Sequence, residues 1–98
     1  MDFTVAGHKI KLVYTNKLKL DNEDCWGSYD DDKRTIYMRY KMDECRKADT
    51  FLHEIIHSID FIHNLNLSEK AVNILAIELV AFIRNNKLPL LRKIMKVK

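Results

Sequence analysis

The sequence predicts an α+β fold, with a small antiparallel sheet of N-terminal strands packed on a helix and a second helix following. Three observations predict it. Apolar residues alternate with polar ones in the segments about 3–14 and 35–40, and recur at helical spacing from about residue 43. The strand-like segments come first and the helical ones after, rather than alternating as in a parallel α/β design. Two glycines and one proline in 98 residues are too few for linkers, low-complexity tracts or a turn-rich all-β fold. The length fits one domain, 1–98, and 47% hydrophobic with 32% charged residues suits a buried core under a soluble surface. At this size the core is thin, so a bound metal or a partner adds to stability.

The sheet is expected over about 3–40. Residues 3–14 read as a hairpin, because Val5, Ile10, Leu12 and Tyr14 alternate with polar neighbours and Ala6-Gly7-His8 can turn. Residues 15–24 are polar and read as irregular. A short strand over 26–29 leads into Asp30-Asp31-Asp32, a hairpin tip rather than a calcium loop, since the EF-hand spacing is missing. A returning strand over 35–40 places Ile36 and Met38 on one face and Tyr37 on the other.

The period then changes. Leu52, Ile55, Ile56, Ile59 and Ile62 fall on one side of a helix over about 43–63, free of glycine and proline. Residues 64–67 break it. Ser68 is a good N-cap, and Glu69 in the first turn suits the dipole of a second helix over about 68–86.

Leu88-Pro89 restarts the chain into a basic tail, 87–98. Arg84, Lys87, Arg92, Lys93, Lys96 and Lys98 gather there with no acid after Glu78, although the net charge is only +3. This is read as a solvated helix end, and nucleic acid is not expected as a partner. Cys25 and Cys45 lack CxxC spacing and are expected to be reduced thiols. No apolar run approaches the roughly 18 residues of a membrane span, and no signal-peptide profile opens the chain, so no membrane contact and a cytoplasmic location are expected.

Chemistry concentrates in His53-Glu54-Ile55-Ile56-His57, an HExxH. Residues four apart lie one above the other on a helix, so both imidazoles reach one metal ion. Glu54 is turned about 100° from His53, where it can take a proton from water held by the ion. Imidazole nitrogens suit zinc, the expected cofactor. With four histidines in 98 residues, the motif arises by chance in only roughly 0.8% of such chains.

A third ligand has three candidates. His63 has the HExxHxxGxxH spacing, but that arrangement turns off the helix at a glycine where this chain has Asp60. On a continuing helix His63 joins the core face near Ile56 and Ile59. Glu78 stands at the long spacing of many glutamate-type sites, at the edge between core and polar sides of the second helix. Glu69 is preferred, because 64–68 can span roughly 16 Å and return the chain to the level of His57. Asp60, on the histidine stripe, is either a partner for the far nitrogen of a ligand imidazole or a solvated acid.

These residues resemble the zincin-type metallopeptidases, and more closely the small phage and bacterial ImmA/IrrE-like proteins. The similar stretches are 50–60 (TFLHEIIHSID), 67–76 (LSEKAVNILA) and 84–86 (RNN), with Trp26-Gly27 and the Ile36 strand ahead of them. The resemblance covers about 26–86, and HExxH is its specific part. It implies a small sheet on a metal-bearing helix and zinc-dependent peptidase activity on a peptide or protein substrate. Its Glu ahead of a Val-Asn pair matches Glu69, Val72 and Asn73, which implies Glu69 as third ligand. The chain departs from the family by lacking a leucine-rich run ending in Met-Pro.

Two functions compete. In the first, His53, His57 and Glu69 hold zinc and Glu54 is the catalytic base for attack of the metal-bound water on a peptide bond. In the second, the same scaffold is a catalytically silent metal-binding interaction module, such as a phage-type regulator docking on a host protein.

Overall fold

The computed structural model describes residues 1–15, 19–20, 23–24, 26–86 and 93–96. Among these residues six strands precede two main helices: β1 (Asp2–Val5), β2 (His8–Thr15), β3 (Lys19–Leu20), β4 (Glu23–Asp24), β5 (Gly27–Asp30), β6 (Thr35–Arg39), α1 (Glu44–His63) and α2 (Glu69–Asn85). The α+β architecture is therefore as the sequence predicts.

β1 and β2 form the expected hairpin, pairing Val5 with His8 through a two-residue loop. Ala6 and Gly7 both have positive φ, 49° and 80°. That twist matches the strands it joins, with glycine taking the second left-handed position at no steric cost. β5 and β6 form the second hairpin across the aspartate turn, where Asp30 accepts the Lys33 N–H at 3.1 Å. An aspartate spent on its own turn fits a hairpin tip.

The two hairpins join in a way the sequence does not announce. β2 and β6 pair in parallel, Leu12 opposite Ile36 and Tyr14 opposite Met38, so the order is β1-β2-β6-β5. The sheet is thus mixed, with one parallel pair among antiparallel ones. Segment 15–24 also differs from the irregular reading: β3 and β4 pair with each other as a separate two-stranded ribbon. Polar strands of two residues carry no apolar alternation to betray them.

Ile10, Leu12, Ile36 and Met38 are buried on one face of the large sheet. Ile55, Ile59 and Ile62 of α1 pack against them, together with Phe3 and Phe51, whose rings meet edge-on at 5.4 Å. Ile56 instead forms a second cluster with Val72 and Ala76 of α2, joined by Leu52 and Leu67. The apolar positions of α1 therefore serve two faces, not one, because the helix lies between the sheet and α2.

Both helix starts are capped as sequence chemistry dictates. Asp43 accepts the Arg46 N–H at 2.8 Å, and the Ser68 hydroxyl accepts the Ala71 N–H at 3.1 Å. No helix among the described residues is long and apolar enough to cross a membrane. Arg84, Lys93 and Lys96, the basic residues of the C-terminal end that are described, are exposed. The restart at Leu88-Pro89 and Cys25 lie outside the described residues, whereas Cys45 is an exposed free thiol.

Candidate metal centre

Helical spacing puts His53 and His57 one turn apart on the α1 stripe that neither core uses, and their Nε2 atoms stand 3.0 Å apart. Delivering a third donor to that stripe is the work of the α1–α2 connection. Asn64 ends α1 in the left-handed conformation, its N–H returned to the Asp60 carbonyl. That carbonyl also accepts the Leu65 N–H at 3.1 Å, and Asn66 again takes positive φ. The Asp60 carboxylate then accepts the Leu67 N–H at 3.2 Å. With Leu67 anchored in the second cluster and Ser68 capping α2, Glu69 is brought back to the histidines.

Glu69 Oε1 lies 2.7 Å from His53 Nε2, and its Oε2 lies 3.2 Å from His57 Nε2. The ligand atoms of the three residues all fall within 4.8 Å of one another, and the group is able to hold a metal ion. The separations suit one: bonds of roughly 2.0–2.1 Å in tetrahedral array set neighbouring donors about 3.3 Å apart. Two imidazoles and a carboxylate are also a donor set that leaves zinc one open position. Burial is the main influence on His53 and lowers its pKa, opposed by the Glu69 carboxylate and by a hydrogen bond that the His53 ring donates to Asn73. A neutral imidazole is the form that binds metal.

Glu54 is placed differently. Turned toward β5, it is only 5% exposed, and its buried Oε2 has no hydrogen-bond partner. Burial, with a smaller contribution from the Glu69 carboxylate, pushes this carboxyl up to about 7. Gly27 makes the close approach possible. A Cβ there would stand 2.7 Å from Thr50 Cγ2, 3.2 Å from the Tyr37 carbonyl oxygen and 3.4 Å from Glu54 Cγ.

The four residues open onto a groove of about 880 Å³ between β5, α1 and α2. Its walls include Trp26 and Asp49 towards the start of α1, and Tyr29 and Phe61 towards its end. Arg46 stacks its guanidinium over Trp26 at 4.6 Å.

The predicted site residues divide cleanly. His53, Glu54, His57 and Glu69 come together, whereas Glu78 is exposed on α2 outside the group. His63 also stays outside, and it corrects an expectation: it is exposed in the last turn of α1 and not on the core face. It is the last residue of the helix, followed at once by the left-handed Asn64. Asp60 is half-buried, and its carboxylate accepts a hydrogen bond from the Leu67 backbone rather than from an imidazole. The sequence reading missed Thr50 as a neighbour of Glu54. It also missed Asn73 as a partner of His53, although Asn73 stands one helical turn after Glu69, a spacing that would have found it.

No family model matches the sequence, and no curated protein or solved structure matches it either.

Proposed function

We propose that the chain is a zinc-dependent metallopeptidase of the zincin kind, with His53, His57 and Glu69 as the metal ligands and Glu54 as the catalytic base. The observation that carries this reading is the convergence of three donors from two helices beside a buried carboxyl whose Oε2 is unpartnered. Two imidazoles with one carboxylate favour zinc over harder cations. When bound, the ion polarises the scissile carbonyl and acidifies a water. Glu54 does the proton work: its carboxylate accepts the proton of the attacking water and returns it to the leaving amine. Burial beside Gly27 raises this carboxyl's affinity for a proton, which suits a group that takes one up and passes it on.

Elemental analysis of the wild type, His57→Ala, Glu69→Gln and Glu78→Gln tests the ligand set. About one zinc per chain is expected in the wild type and in Glu78→Gln. Loss is expected in His57→Ala, and weakening in Glu69→Gln. Glu54→Gln should keep the metal and lose about 100-fold or more in kcat on a peptide library. Full activity in that variant would remove Glu54 from the mechanism.

A second reading, the silent interaction module, is favoured by the outer face of α2. Leu75, Leu79 and Phe82 recur there at helical spacing and are 42–49% exposed. It predicts zinc binding without hydrolysis in the same experiment.

A further inference from the structure

We propose that the Tyr29–Phe61 end of the groove is a subsite for a bulky apolar side chain of the substrate, within two residues of the scissile bond. The inference rests on the peptidase reading and adds its substrate class. Asp49, His53, His57 and Phe61 follow one another every fourth residue, so they form one line along α1. Both histidines sit at its middle, and its ends differ in chemistry. Asp49 and the Arg46 guanidinium, which lies over the Trp26 ring, put charge at the first end. Phe61, one turn past His57, makes the second aromatic.

Phe61 is 58% exposed and belongs to neither core cluster. Its ring meets Tyr29 at 5.8 Å in a tilted pair. Tyr29 is held in place, because its hydroxyl donates to Asp31 at 2.9 Å while its ring packs against the sheet core. The two rings thus form a fixed apolar ledge that continues the wall of the metal-binding groove. One helical turn from His57 to Phe61 is about 6 Å, the span of about two extended residues. A peptide lying along the groove would therefore set one of the side chains flanking the cleaved bond on this ledge.

Trp26 is the sole tryptophan and lines the groove, so its fluorescence reports occupancy. Blocked pentapeptides Ala-Ala-Phe-Ala-Ala and Ala-Ala-Asp-Ala-Ala are titrated into the Glu54→Gln chain, with and without zinc, so that neither is consumed. The Phe peptide is expected to bind about tenfold tighter. Adding Phe61→Ala should abolish that preference, and Phe61→Lys should turn it towards the Asp peptide, with zinc content and melting temperature unchanged. Equal affinities, absence of binding, or a preference that survives Phe61→Ala would overturn the subsite. Wild-type cleavage of both peptides, mapped by mass spectrometry, separates the two ideas. Preferential binding without cleavage overturns the peptidase and leaves the subsite; cleavage without preference does the reverse.

Discussion

Glu54 carries the sharpest consequence at the scale of single residues. A carboxyl pushed up to about 7 by burial holds its proton more tightly when folded than when unfolded. Its contribution to stability is therefore fully present below about pH 4 and is lost as pH rises through 7. In chelator, wild type should lose on the order of 3 kcal/mol relative to Glu54→Gln between pH 4 and pH 8. Urea unfolding of both chains across that range measures it, and parallel curves would mean that Glu54 is solvated. With zinc bound the difference should shrink, because a nearby cation favours the charged carboxylate. HExxH spacing alone pointed to the roles of His53, Glu54 and His57. It was silent about Gly27, because the space that a Cβ there would need, 2.7 Å from Thr50 Cγ2, is set by residues far apart in the chain.

The element that decides the site is the turn between α1 and α2. Three backbone N–H groups, those of Asn64, Leu65 and Leu67, are satisfied by Asp60 alone, two at its carbonyl and one at its carboxylate. In the proposed metal centre Asp60 would act through the placing of Glu69, by its hydrogen bond to the Leu67 backbone, as a positioning residue. Asp60→Ala should cost about 1 kcal/mol of stability and weaken zinc binding about tenfold or more. Asp60→Asn, which keeps an accepting oxygen, should retain most of both. Competition titration with a zinc chelator, alongside thermal melts, checks the pair. Identical zinc affinity in all three chains would make the turn structural only. Ser68 and the break at 64–67 were legible in sequence because caps and breakers act locally. The hydrogen bonds of Asp60 were not, since an aspartate on a helix stripe can face solvent, a ligand or a loop with the same spacing.

At the scale of the whole molecule, α1 is shared by two small cores, the sheet on one side and α2 on the other, and the candidate metal group ties α2 to α1 at the groove. A metal that binds only the folded arrangement stabilises it by mass action. With free zinc at about 100 times Kd, the gain is about 2.7 kcal/mol, which for a domain of roughly this size raises Tm by about 10–20 °C. Chelator should remove that increment in wild type and in Glu78→Gln, and should leave His57→Ala unaffected; a wild-type Tm indifferent to chelator would exclude a stabilising metal. By itself the sequence determined the α+β class, both hairpins, both helices with the Ser68 cap, and the HExxH residues of the candidate site. Each follows from patterns within a few neighbouring positions, where period and capping chemistry act. Only the tertiary structure decided the parallel docking of β2 on β6, the division of α1 between two cores, the burial of Glu54 beside Gly27 and the placing of Glu69, rather than Glu78 or His63, beside both histidines. Those depend on which apolar faces meet across the chain, and burial energy is indifferent to how far apart in sequence the two surfaces began.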